Sequence, residues 1–75
     1  MHDRIRNVMA AVFGVAADEI TDDASPHDIS GWDSIKHMNL VLALEEEFGV
    51  HFEEAEIPSL VSFRIIAATI EAYVD

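Results

Sequence analysis

The chain has 75 residues, 51% of them hydrophobic, and a formal net charge of −11 at pH 7. A chain this short buries only roughly 60 to 65% of its unfolded surface, which excludes a large cleft or a second lobe. The excess of Asp and Glu excludes nucleic acid and anionic membranes as good partners and favours proteins with basic patches. We therefore expect a single domain over residues 1–75.

The first predicted helix begins after Asp3, which caps it, and ends at Gly14. Its apolar residues recur at the spacing of one helical face: Ile5, Val8, Met9, Val12 and Phe13. The apolar stretch is far too short to span a bilayer, so we expect no membrane insertion and a cytoplasmic location.

A long connector follows from Val15 to Asp33, and the helical periodicity disappears in it. The connector is rich in Asp, Ser, Pro and Gly, which favour turns over a continued helix. Its scattered apolar residues are expected to hold it against the core at several points: Val15, Ile20, Ile29 and Trp32. A connector of this length in a small domain is usually either functional or disordered.

The second predicted helix runs from Ser34 to Phe48, and both of its ends carry sequence signals. Asp33 is placed to cap the backbone N–H groups of the first turn, and Gly49 is placed to end the helix. A short segment from Glu53 to Ile57 comes next, and Pro58 closes it.

The last predicted helix runs from Phe63 to Val74, with Ser62 as its cap. One face of this helix is apolar and consists of Phe63, Ile66, Ala67, Ile70, Tyr73 and Val74. No run alternates apolar and polar residues for long enough to form a sheet. The predicted fold is therefore all-α: a small four-helix bundle of three main helices and one short helix, with the long connector between the first and second helices.

The second helix carries two apolar stripes on nearly opposite sides. One stripe suits the core and consists of Leu40, Val41, Leu44 and Phe48. The other consists of Ile35, Met38 and Leu42, and Glu45 and Glu46 continue the same face. Two interpretations remain open: the second stripe packs under the connector or is simply tolerated at the surface, or it forms an exposed docking surface rimmed by carboxylates.

Ser34 lies at the positive end of the second helix, where backbone N–H groups and the helix dipole favour an attached phosphate. A plain helix-start serine is the simpler interpretation of the residue alone. His37 and Asp33 are near enough in sequence to suggest a hydrolase triad, but no Gly-flanked nucleophile elbow accompanies them. We expect no catalytic residue, and the remaining histidines and aspartates lack the spacing of a metal site.

Two motifs in the middle of the chain resemble those of the acyl carrier protein family. They are Gly31-Trp32-Asp33-Ser34-Ile35 and the run Leu-Val-Leu-Ala-Leu-Glu-Glu-Glu-Phe-Gly from Leu40 to Gly49. The likeness extends to the connector segment Asp18 to Ala24, to the short segment from Glu53 to Glu56 and to the last helix. The resemblance therefore covers nearly the whole chain.

This resemblance implies that Ser34 accepts a 4′-phosphopantetheine arm from coenzyme A, with Asp33 as the acidic neighbour in the motif. In that family a separate phosphopantetheinyl transferase attaches the arm, and acyl groups are carried as thioesters on its terminal thiol. The absence of cysteine agrees with a thiol brought by the arm. The other partners implied are an acyl- or aminoacyl-loading ligase, and acyltransferases or synthases with basic docking patches. The protein itself is expected to be a non-catalytic carrier and a monomer.

Members of the family use the serine helix as their main recognition element. The matching positions in this chain are Ile35, Met38, Leu42, Glu45, Glu46 and Glu47. The alternative function is an acidic helical protein-interaction module that has no prosthetic group and docks through the second helix.

Three positions depart from the commonest family pattern. Ile35 replaces the usual leucine, Trp32 stands where a small residue is usual, and Lys36 adds a positive charge beside Ser34. Together with His37, these residues make the segment resemble carriers of specialised pathways (polyketide, aminoacyl or cell-surface modification systems) more than carriers of primary fatty acid synthesis.

Overall fold

The computed structural model describes residues 2–74, in which three α-helices and two short 3-10 helices follow one another. α1 spans His2–Phe13, α2 spans Ser34–Phe48 and α3 spans Phe63–Val74. One 3-10 helix, Ala17–Glu19, lies in the connector, and the other, Glu54–Ser59, lies between α2 and α3. The predicted all-α bundle is confirmed, and the connector adds one helical turn that the sequence pattern did not predict.

α1 begins earlier than predicted. Asp3 is not its cap, because the helix already includes His2 and Asp3 lies within the first turn. A carboxylate is still favourable at that place, since negative charge near a helix N-terminus interacts well with the macrodipole. The predicted end is confirmed: Gly14 has a φ of 70°, and its N–H donates to the carbonyl of Ala10 at 2.8 Å.

Both ends of α2 are confirmed. A carboxylate oxygen of Asp33 accepts a hydrogen bond from the backbone N–H of Lys36 at 2.9 Å, as an N-cap does. Gly49 has a φ of 65°, and its N–H donates to the carbonyl of Glu45. Any other residue would be strained at this left-handed φ, so the sequence determines where α2 stops.

The core is one hydrophobic cluster to which each α-helix contributes a face. Its buried members are Ile5, Met9, Phe13, Ile20, Ala24, Ile29, Trp32, Leu40, Val41, Leu44, Phe52, Leu60, Phe63, Ile66, Ala67 and Ile70. Three of the four predicted anchors of the connector are thus buried, and the fourth, Val15, is half-buried against the cluster.

Arg6 of α1 makes two contacts to the connector and one to α3. Its guanidinium donates to the carbonyl of Ile20 at 2.9 Å, pairs with Asp22, and lies 4.3 Å from the centroid of the Phe63 ring. The backbone N–H of Phe63 in turn donates to the carbonyl of Ala24 at 3.0 Å. The connector is therefore held between α1 and α3 before it leads into α2.

The segment before α3 differs from its prediction. Pro58 does not close it but lies inside the 3-10 helix Glu54–Ser59, because the fixed φ of proline suits a helical turn and its missing N–H costs little in so short a helix. The Ser62 cap is confirmed by a 3.2 Å hydrogen bond from the N–H of Ile65 to the Ser62 hydroxyl. Tyr73 and Val74, at the end of the predicted apolar face, are both exposed. Within residues 2–74, no helix has the length and apolar character that a membrane crossing requires.

Candidate functional site

Ser34 is exposed at the first residue of α2. Helix geometry leaves the backbone N–H groups of Ser34 and Ile35 without intrahelical acceptors, whereas that of Lys36 is taken by Asp33. Ser34 thus faces solvent at a place where two N–H donors and the positive end of the helix dipole favour a negative group.

The Lys36 side chain contacts the end of α1. Its ammonium lies 3.3 Å from the carbonyl oxygen of Val12, in the last turn of α1. A positive charge is favourable there, because the last carbonyl groups of a helix lack partners and carry partial negative charge. The contact joins residues 24 apart in sequence, so no local pattern could have predicted it.

His37 is held in two hydrogen bonds, neither of which is to Ser34. Its Nδ1 accepts from the indole N–H of Trp32 at 2.9 Å, and its Nε2 lies 2.7 Å from the carbonyl oxygen of Ile57. Asp33 is likewise used as a helix cap. Both partners that a serine nucleophile would need are therefore engaged elsewhere, and no triad forms.

The second apolar stripe of α2 lies in solvent and not under the connector. Ile35, Met38 and Leu42 are 74%, 45% and 60% exposed. They extend from the residue after Ser34 for about two turns along the helix. Adjacent exposed apolar side chains are typical of a surface that contacts other proteins.

The three carboxylates of the predicted recognition face have different surroundings. Glu45 is mostly buried and accepts from the backbone N–H of Phe52 at 2.9 Å, with His51 Nδ1 at 3.4 Å. Glu47 pairs with Arg4 at 3.0 Å. Glu46 is exposed, and no ion pair within residues 2–74 engages it. Of the three, Glu46 is the one that the fold leaves available to a partner.

A shallow groove of about 440 Å³ opens beside Ser34. Its walls are largely apolar and include Trp32, Met38, Ile57, Pro58 and Val61, and His37 also lines it. The 3-10 helix Glu54–Ser59 therefore forms one wall and the first turns of α2 form the other. The sequence pattern did not predict this groove, because its walls come from three separate segments.

Tyr73 joins the end of α3 to the same 3-10 helix. Its hydroxyl donates to Glu56, and that hydrogen bond, with help from the backbone N–H of Glu53, lowers the pKa of Glu56. The same bond raises the pKa of Tyr73. The Tyr73 ring also packs edge-on against Phe52, with ring centroids 5.5 Å apart.

The comparison with protein families agrees with these features. A family model described as "phosphopantetheine attachment site" matches residues 3–70, from the second residue of α1 to the residue before the last turn of α3. The match confirms the resemblance to acyl carrier proteins, and domains of this family are generally non-catalytic. The chain therefore belongs to the phosphopantetheine attachment family and is a carrier protein whose cofactor is covalently bound 4′-phosphopantetheine.

Proposed function

We propose that Ser34 is the attachment residue and that the protein carries acyl or aminoacyl groups in a specialised biosynthetic pathway. The observation that supports this most is the exposed Ser34 hydroxyl at the capped start of α2, inside the matched family span. We further propose that residues 1–75 act as one monomeric carrier domain in the cytoplasm.

Attachment requires the Ser34 hydroxyl to act as a nucleophile. Its oxygen would form a phosphodiester with the phosphorus nearest the pantetheine of coenzyme A, while the pyrophosphate bond breaks and adenosine 3′,5′-bisphosphate leaves. The proton of the hydroxyl needs a base. His37 has no free lone pair, because its Nδ1 accepts from Trp32 and its Nε2 donates to the carbonyl of Ile57, and a carboxylate oxygen of Asp33 caps the helix. A separate phosphopantetheinyl transferase would supply that base.

The first turn of α2 would accommodate the resulting phosphate. The N–H groups of Ser34 and Ile35 and the helix dipole offset part of its negative charge. Asp33 holds the start of the helix through the N–H of Lys36, so the added charge need not displace the cap. When attached, the arm supplies the thiol on which cargo forms a thioester.

Presentation of the cargo would depend on brief docking. A tethered substrate reaches a docked enzyme at high effective concentration, so docking itself need not be tight. Ile35, Met38 and Leu42 offer an apolar contact, and the surrounding negative charge attracts basic patches on a loading ligase, an acyltransferase or a synthase.

Intact-protein mass spectrometry tests this proposal. The purified protein is incubated with coenzyme A, Mg²⁺ and a broad-specificity phosphopantetheinyl transferase, and it should gain the mass of one arm. Ser34→Ala should gain none, with an unfolding free energy within about 0.5 kcal/mol of the wild type, since its hydroxyl is exposed.

Ser30→Ala is the matched control, because Ser30 is also exposed and lies four residues upstream, in the connector. This variant should be modified as fast as the wild type. If the wild-type chain gains no mass while a known carrier is modified in the same tube, the proposal fails, and docking without a prosthetic group becomes the better account. A large loss of stability in Ser34→Ala would instead assign Ser34 a structural role.

A further inference from the structure

Three segments that are separate in sequence meet at the imidazole of His37. Trp32 comes from the end of the connector, His37 from the second turn of α2, and Ile57 from the 3-10 helix Glu54–Ser59. Trp32 and Ile57 line the groove beside Ser34, as does His37 itself. The imidazole therefore connects the walls of the groove that opens next to the proposed attachment residue.

The two hydrogen bonds determine which tautomer His37 adopts. An indole N–H can only donate, so Nδ1 of His37 must accept and carries no proton. The carbonyl of Ile57 can only accept, so Nε2 must carry the proton and donate. Of the possible forms of histidine, only the neutral imidazole protonated at Nε2 satisfies both neighbours.

Burial of Trp32 favours retention of its hydrogen bond to His37. Trp32 is 7% exposed, its ring plane lies within 19° of that of His37 at the hydrogen-bonded edge, and it packs against Phe13 with a centroid distance of 5.0 Å. A buried indole N–H that loses its acceptor pays a desolvation cost. Trp32 is also two residues before Ser34, so its position influences how the chain enters α2.

We propose that His37 is a positioning residue which, as the neutral Nε2–H tautomer, clamps the connector and the 3-10 helix Glu54–Ser59 onto α2 and so sets the shape of the groove beside Ser34. An enzyme that acts on Ser34 approaches across this groove, so a loosened wall weakens its productive docking while the serine hydroxyl itself stays unchanged. The effect on docking rests on the proposed function of Ser34, whereas the clamp itself does not.

Nuclear magnetic resonance tests the clamp independently of function. The chain has one tryptophan, so its indole N–H gives a single assignable signal. In the wild type that proton should exchange with solvent at least about tenfold more slowly than in His37→Phe, in line with the loss of one hydrogen bond of ordinary strength. The ¹⁵N shifts of His37 should report a proton on Nε2, with His27 and His51, which are exposed, as internal references.

Three variants at His37 then separate the two hydrogen bonds. His37→Asn keeps an acceptor near the place of Nδ1, His37→Gln keeps a donor that can reach Ile57, and His37→Phe keeps neither. With a phosphopantetheinyl transferase, His37→Phe should raise the KM for the carrier by about fivefold or more, with kcat within about twofold. Asn and Gln should give smaller increases, and His51→Phe should give none.

Different results overturn different statements. If the indole proton of Trp32 exchanges as fast in the wild type as in His37→Phe, or if His37 carries its proton on Nδ1, there is no clamp. If the exchange rates and ¹⁵N shifts are as expected but KM is unchanged in all three variants, the clamp does not position the site. If the wild type is not modified at all, the proposed function fails, while the exchange rate and the ¹⁵N shifts still decide whether the clamp exists. Should His37→Phe unfold, His37→Gln replaces it in the exchange measurement, and His37→Gln and Trp32→Phe replace it in the KM measurement.

Discussion

The two faces of α2 have similar composition and opposite surroundings. Leu40, Val41 and Leu44 are at most 2% exposed, while Ile35, Met38 and Leu42 on the other side are 45% to 74% exposed. The inward face holds the bundle together, and the outward face contributes little to folding because it is not removed from water. Apolar character alone therefore does not distinguish a core residue from a contact residue on this helix; the surrounding segments do.

The carboxylates of α2 are divided in the same way. Glu45 accepts a hydrogen bond from the backbone N–H of Phe52, so it stabilises the fold, although its acidic neighbours in sequence suggest a solvated patch. Glu46, one residue later, is exposed on the side of the outward stripe. A charge reversal at both positions would therefore combine a structural effect with a docking effect, and single substitutions are the cleaner test.

The strongest test of the two-face comparison pairs two leucines that lie two residues apart. Leu44→Ala should lower the free energy of unfolding by about 2–5 kcal/mol, because it leaves a cavity in the core. Leu42→Ala should change it by about 0.5 kcal/mol or less, because that side chain is exposed. Urea unfolding followed by circular dichroism measures both. Equal losses in the two variants would mean that the outward stripe is buried in solution.

Glu45 and Glu46 provide the second test. Glu45→Ala removes the acceptor of the Phe52 N–H and should lower the unfolding free energy by about 1–3 kcal/mol. Glu46→Ala should stay within about 0.5 kcal/mol of the wild type. Both substitutions delete one negative charge and introduce the same residue, so net charge and helix propensity are matched. If Glu45→Ala is as stable as the wild type, the Glu45 carboxylate is solvated and does not stabilise the fold.

The third test concerns docking. Met38→Ala with Leu42→Ala should raise the KM of a phosphopantetheinyl transferase for the carrier by about tenfold, since each exposed side chain would be buried by the enzyme. Ile65→Ala is the control, because Ile65 is an exposed apolar residue of α3, outside α2. If the Ile65 variant shows the same increase, general surface hydrophobicity and not the outward face of α2 explains the effect.

The sequence predicted those parts of the molecule that depend on local chemistry. The bounds of α2 followed from Asp33 and Gly49, because capping and a left-handed φ are properties of single residues. Contacts between distant segments could not be predicted from the sequence pattern. The hydrogen bond from His37 to Ile57, for example, joins residues 20 apart and has no periodic signal. For the same reason Glu45 was predicted as part of a recognition face, although its main neighbour is the loop that follows α2.

The smallest expected effect concerns the contact between α3 and the 3-10 helix Glu54–Ser59, which a hydrogen bond from Tyr73 to Glu56 joins. Tyr73→Phe keeps the ring that packs on Phe52 and removes the hydroxyl that lowers the pKa of Glu56. The stabilisation from Glu56 is present above its ordinary pKa and is lost as the pH falls through its lowered pKa.

The raised pKa of Tyr73 has the opposite sign: its contribution is present below the ordinary tyrosine value and is lost as the pH rises through the raised one. The wild type should therefore exceed Tyr73→Phe in stability between about pH 5 and pH 9, and the difference should shrink at both extremes. Thermal unfolding of the two proteins across this range measures it. A difference that is independent of pH would show that the phenol hydroxyl and the Glu56 carboxylate are not joined in solution, and that packing on Phe52 alone holds the end of α3.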